Sequence, residues 1–279
     1  MTDPNAAPAP KATQQAPGEA SPPRRRATQF ETPPPRRDPE DPTLPARTRR
    51  RLRRANRARA RWGAPIETTS RRIHAWLNML FVDHGALRLI HPNLHRVGRD
   101  AWRSAQPLPH HIDRLARQGL RTVITLRGGV IFGSLPLERE VCARNDVTLE
   151  RFVLRSRDLP KVEELLALEE LVARVERPVL FHCKSGADRA GFMAALWLIL
   201  AEGRSVAEAR GQLSLRYGHL KIGPTGVLDL FMERAAEAER RGVPFRQWVR
   251  TEYDREAMRR EFRSSGFGAF LVDRVLGRE

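Results

Sequence analysis

The segment that most restricts how this chain can fold is residues 178–203, PVLFHCKSGADRAGFMAALWLILAEG. Residues 178–182 form a short apolar run, too brief for a helix and bounded by Pro178, as expected of a strand buried on both faces. Residues 183–189 are polar and contain Gly186. Residues 190–202 are apolar on every side, the pattern of a helix enclosed by protein, and Gly203 supplies its stop. A buried strand, a tight polar loop and a buried helix in direct succession call for a layered α/β domain built around them.

The flanking sequence has the same rhythm. A short strand is expected at 94–97, a loop at 101–109, a helix at 111–118 closed by Gly119, and a strand at 121–126. Gly128 and Gly129 break the chain before a helix at 137–144 and a strand at 147–154. Residues 161–175 place Leu165, Leu168, Val172 and Val175 on one helical side, between Pro160 and Pro178. This alternation predicts a central, mostly parallel sheet flanked by helices. Ser205 and Glu208 have capping-box spacing, residues 227–240 read as a helix, and the charged stretch from 245 onward reads as helical. Upstream, Ile73, Trp76, Leu77, Leu80 and Phe81 recur at helical spacing and predict an amphipathic lead-in helix packed on the core. The expected organisation is a tail at 1–65, the lead-in at 66–93, the main domain at 94–245 and a helical extension at 246–279.

Residues 1–65 are rich in Pro, Ala and Arg and carry 15 Lys plus Arg against 6 Asp plus Glu, +9 of the chain's +17. With few apolar clusters they cannot offset the cost of ordering a backbone, so a disordered basic tail is expected. Nine arginines and no acid lie between Arg47 and Arg61. Such a run suits either nucleic acid or an anionic membrane, and it equally fits a solvated linker. The two cysteines, Cys142 and Cys183, have no metal-site spacing and imply free thiols in a reducing compartment. No metal or cofactor is expected. The longest apolar run, 192–201, is short of the ~20 residues that span a bilayer, so the chain reads as cytoplasmic, with peripheral membrane attachment left open.

The loop between strand and helix is where chemistry is expected. A cysteine at a strand end, followed by backbone N–H groups curling over a helix N-terminus, sits in a positive field that favours its thiolate and also holds a phosphate dianion. Arg189, six residues after Cys183, can offer two phosphate oxygens a planar guanidinium. Gly186 permits the curl, Gly191 permits close packing of the helix, and His182 lies beside the thiol. At these residues, HC-x5-R between an apolar strand and an apolar helix, the chain resembles the protein tyrosine phosphatase superfamily, and within it the compact dual-specificity class with its atypical bacterial, plant and fungal members. The resemblance implies the cysteine-based phosphatase fold, Cys183 as a nucleophile forming a cysteinyl phosphate, and Arg189 as the group that binds phosphate and transition state. It also implies a phosphate cradle from the amides of Lys184, Ser185, Gly186, Ala187, Asp188 and Arg189. Arg103-Ser104-Ala105-Gln106-Pro107 and Thr122-Val123-Ile124-Thr125-Leu126-Arg127 resemble the N-terminal half of the same class, extending the likeness over about 94–235. A phosphorylated protein, an inositol phosphate or a phospholipid is the implied substrate.

One position departs from the family pattern: Ala190 stands where a Ser or Thr usually follows the arginine and helps the thiolate leave. Asp158, in the loop before the helix at 161–175, is the expected general acid, and it could instead cap that helix. Asp188 competes for the role, although a carboxylate within the phosphate loop would repel a dianion unless protonated or turned outward. Arg127, Arg155 and Arg157 are candidates for the pocket mouth or for plain surface. Two other functions stay open, a phosphate-binding pseudophosphatase acting as an interaction module and a rhodanese-like sulfurtransferase. Cys142 reads as core, with a disulfide to Cys183 conditional on their distance.

Overall fold

The computed structural model describes residue 38 and residues 41–129 and 132–264. Five strands form one sheet: β1 His95–Val97, β2 Ala101–Ser104, β3 Thr122–Thr125, β4 Thr148–Arg151 and β5 Val179–His182. Their order is β1-β2-β5-β3-β4, and only the β1–β2 pair is antiparallel. The mostly parallel sheet flanked by helices is therefore the architecture found. β5 lies at the centre with all four residues buried, and His182 pairs with Ser104 on one side and Thr125 on the other. Because successive strand side chains alternate between faces, Phe181 enters the larger core while Leu180 enters the smaller.

The larger core packs α6 Val162–Arg174, α7 Asp188–Glu202, α9 Val227–Arg240 and α10 Phe245–Thr251, with α8 Val206–Ala209 as a one-turn link. Phe231 is its aromatic centre, edge-on to Phe192 at 5.1 Å and to Trp248 and Tyr253 at 5.2 Å each. The opposite face is covered by α4 Pro109–Arg117 and α5 Ser134–Arg144 through Ile112, Leu115, Val141 and Cys142. Cys142 is thus core, it belongs to a different cluster from Cys183, and both thiols are free.

Two expectations are corrected. Residues 101–104, read as loop, are the strand β2: Arg103 and Ser104 break the apolar signature, but both are buried beside β5. Within the supposed tail, Ala46–Gly63 forms helix α1. Alanine and arginine are strong helix formers, and buried Trp62 anchors the end of α1 against Ala75, Met79, Leu108 and Leu137. The rest of the tail expectation, residues 1–37 and 39–40, lies outside the described residues, as do 265–279 of the extension. The lead-in is three pieces, α2 Thr69–Leu77, a π-helical turn Asn78–Val82 and α3 Gly85–Ile90, with His84 in the left-handed region between them. Downstream of α10, α11 Arg255–Ser264 supplies the charged extension.

Candidate active site

Cys183 ends the central strand at its carboxyl edge, where parallel sheets place their binding crevices. Its Sγ accepts a hydrogen bond from the Gly186 N–H at 3.2 Å, and the loop then enters α7 at Asp188. The thiol therefore faces the amide end of a 15-residue helix. Gly186 has φ +78, and a Cβ there would lie 2.6 Å from the Ala105 nitrogen and 2.8 Å from the Ser104 carbonyl carbon. Both backbone angle and space exclude a side chain. A Cβ at Gly191 would meet the Gln212 carbonyl oxygen at 2.8 Å. Arg189 is half-buried with its Nη1 donating to the Leu126 carbonyl at 3.4 Å. A cleft of about 480 Å³ opens over the loop, lined by Lys184, Ser185 and Arg189 on one side and by His84, Leu87, Arg88 and His91 of the lead-in on the other.

When amides curl inward, carbonyls must point outward and find partners elsewhere. Arg103 supplies them. Fully buried on β2, it donates from Nη2 to the carbonyls of Gly186 at 2.7 Å and Ala187 at 3.0 Å, and from Nη1 to the Gln212 carbonyl at 2.6 Å. Its guanidinium also lies 4.1 Å over the Tyr217 ring. Burial lowers its pKa to about 10, against the opposing charges of Tyr217, Cys183 and Asp188, so it is charged at neutral pH. Asn93 serves the third carbonyl: Nδ2 donates to Ser185 O at 3.1 Å and to Tyr217 O at 3.0 Å, while Oδ1 lies 3.0 Å from His95 Nε2.

Asp188 points away from the cradle into a second constellation. His219 is enclosed, with Nδ1 2.8 Å from Asp188 Oδ1 and Nε2 2.8 Å from Asp229 Oδ2. Burial works against a charged imidazole, but the two carboxylates outweigh it and raise the pKa of His219 to about 9. The cation neutralises the carboxylate that Asp188 brings to the start of α7. A third group underlies the cleft: Asp83, fully buried, holds Arg127 by two bonds of 2.7 and 2.8 Å and lies 3.1 Å from Arg88. Burial alone would raise the pKa of Asp83, but bonds to and charges on Arg127 and Arg88 take it below the usual carboxylate range.

Residues 95–222, just under half of the chain, match the family described as DSP-PTPase phosphatase fused to NAD+ Kinase. Over these residues the chain is similar to dual-specificity-type phosphatases of that family. No curated protein matches the chain. Solved structures similar to it include Tk-PTP in its active form, 22% identical over 53% of this chain and 97% of that one with a TM-score of 0.42. P. aeruginosa TpbA is 24% identical over 61% of this chain and 89% of its own with a TM-score of 0.39, and human DUSP28 is 19% identical over 53% and 97% with a TM-score of 0.39.

Within the matched region, the loop residues foreseen in the sequence stand together, and the other candidates separate. Asp158 is outside the cleft lining, with Oδ2 accepting from Arg255 Nη2 at 2.7 Å and Oδ1 3.3 Å from Arg259 Nε, both on α11. Arg127 is buried against Asp83 rather than at the mouth, and Arg155 and Arg157 are exposed, Arg155 pairing with Glu164 at 3.0 Å. The cations that line the cleft are Arg88, Lys184 and Arg189. His182 is buried with Nε2 2.6 Å from Glu138 Oε1, beneath the loop. Ala190 is fully buried. Sequence reasoning did not single out Asn93, Asp83, Arg88, His219 or Asp229; the carbonyls that Asn93 serves lie 92 and 124 residues from it, and the carboxylates on His219 lie 31 and 10 residues away.

Proposed function

We propose that the chain hydrolyses phosphomonoesters through a phosphocysteine. The Cys183 thiolate attacks phosphorus, the ester P–O bond breaks, and the leaving oxygen takes a proton from Asp158. Water then gives a proton to the Asp158 carboxylate as it attacks the phosphocysteine, the S–P bond breaks, and inorganic phosphate leaves with the thiolate and the Asp158 carboxyl restored. The amides of residues 184–189 and the Arg189 guanidinium receive the charge on the three equatorial oxygens in both steps. The observation that carries this reading is the Gly186 N–H pointing at Cys183 Sγ within a loop whose outward carbonyls are taken by Arg103 and Asn93. Such a cradle is organised before substrate arrives and loses little on reorganisation. A cleft of about 480 Å³ lined by Arg88, Lys184 and Arg189 suits small phosphate esters of proteins, inositols or lipids alike.

The test uses p-nitrophenyl phosphate. Wild type is expected to turn over and, when quenched with denaturant, to show a phosphoryl adduct on Cys183 by mass spectrometry. Cys183→Ser should lose turnover by a factor of about 10³ or more, and near wild-type rates in that variant refute the mechanism. A second reading rests on Ala190, which puts no hydroxyl at the position after Arg189, and on the ion pairs that hold Asp158: a pseudophosphatase that binds phosphate without releasing it. Steady phosphate release by wild type removes that reading.

A further inference from the structure

The arginine run and the exposed apolar side chains of the lead-in have no part in the chemistry above. Among the described residues, every large apolar side chain that stands exposed falls in one of two short segments, 73–90 and 215–222. Exposure is 71% at Leu87, 87% at Ile90, 75% at Leu215 and 71% at Ile222. Both segments border the phosphate loop. The first contributes Leu87 and Arg88 to the cleft wall. The second is tied to the loop through Asn93, which joins Tyr217 O to Ser185 O, and through the His219–Asp188 bond. Exposed apolar side chains therefore form a rim on two segments that border the loop, an arrangement soluble surfaces avoid unless something covers it.

The charge beside this rim indicates what covers it. Helix α1 carries nine arginines and no acid between Arg47 and Arg61, and it packs against the lead-in through Trp62, Ala75 and Met79. Arg71 also donates to the Arg61 carbonyl. Cations alone would suit nucleic acid, but strand-binding surfaces interleave them with aromatic platforms, and here Phe81 is the single aromatic ring among the exposed apolar residues. Aliphatic side chains next to arginines match the headgroup and acyl boundary of an anionic bilayer. No helix of the described residues is long and apolar enough to cross a membrane, so contact would be with the surface.

We propose that this face docks on an anionic lipid bilayer, with the apolar rim entering the interface and the α1 arginines on the headgroups, so that the cleft opens toward phosphate esters carried by lipids. The docking stands on surface chemistry alone, and the lipid-borne substrate rests additionally on the phosphatase reading. The experiment is sedimentation of the full chain with phosphatidylcholine vesicles, with and without phosphatidylglycerol. Binding should be at least tenfold tighter to the anionic vesicles. Leu89→Asp with Ile90→Asp and Ile222→Asp should weaken it tenfold or more, as should Gln at Arg50, Arg51, Arg54 and Arg57, while p-nitrophenyl phosphate turnover is unchanged in both variants. Equal vesicle binding by wild type and the aspartate variant overturns the proposal. So does failure to sediment with anionic vesicles, whether the chain instead retains single-stranded RNA or forms a dimer that the aspartates dissolve. Vesicle binding without p-nitrophenyl phosphate turnover would keep the docking face and remove the phosphatase reading.

Discussion

Asp188 is tolerable inside a loop that is to hold a phosphate dianion only if its charge is met elsewhere, and His219 meets it. Its pKa of about 9 lies above the 6.5 of a free imidazole, so it binds its proton more tightly folded than unfolded. The stability it contributes is complete below about pH 6.5 and is lost as pH rises through about 9. A difference of this size corresponds to roughly 3 kcal/mol, and the enclosed site limits screening by solvent. His219→Gln, which keeps polar atoms but no charge, should unfold at a lower temperature than wild type at pH 6, with the gap closing toward pH 9.5. The same substitution should raise KM for p-nitrophenyl phosphate several-fold more than it lowers kcat, because Asp188 would regain its repulsion for the dianion. Parallel unfolding curves across this pH range would show that the imidazole carries no charge in the fold.

At the scale of elements, α11 and the turn before it hold the Asp158 loop from outside the matched region. Tyr253 donates to the Pro160 carbonyl at 2.7 Å, Arg255 Nε to the Leu159 carbonyl at 2.8 Å, and Arg255 with Arg259 engages both oxygens of Asp158. An Asp158 that delivers a proton must leave these partners. A part-exposed ion pair is worth about 1 kcal/mol at most, so Arg255→Ala should raise kcat by up to about fivefold on alkyl phosphates, whose leaving groups need the proton. Asp158→Ala should lower the same rate about 100-fold and abolish its decline at high pH, with a smaller effect on p-nitrophenyl phosphate. Stopped-flow or steady-state rates on the two substrate types distinguish these outcomes. An unchanged pH profile in Asp158→Ala would take the acid role from this residue. The sequence made the central strand, the loop and α7 legible because their signals are local: an apolar run, Gly186 at a forced turn and an apolar helix. It concealed β2 because Arg103 and Ser104 look like loop residues until the carbonyls of 186 and 187 come beside them. It concealed the His219 triad because Asp188 and Asp229 are 31 and 10 residues from His219 and no periodicity links them. Helix α1 was masked by composition, since nine arginines outweigh the single buried Trp62 in any average over the segment.

Over the whole molecule, net charge of +17 and a cleft lined by Arg88, Lys184 and Arg189 act in the same direction on an incoming phosphate. A field of this kind raises the encounter rate with anions and fades once the Debye length, about 30 Å at 0.01 M salt and 10 Å at 0.1 M, falls below the size of the domain. It does little once the ester is seated, where contacts are short. Salt should therefore act on kcat/KM and spare kcat: between 0.01 and 0.3 M sodium chloride, kcat/KM for p-nitrophenyl phosphate should drop about three- to tenfold with kcat nearly constant. The Arg50, Arg51, Arg54 and Arg57 to Gln variant removes four of those charges from residues that do not line the cleft, so its salt dependence should be shallower while its high-salt kcat/KM equals that of wild type. A variant that lost activity at every salt concentration would place α1 in the catalytic structure rather than in its field. Because a bilayer draws on the same arginines, the salt range that weakens steering should also release the protein from anionic vesicles, and the two titrations should share a midpoint if one field serves both.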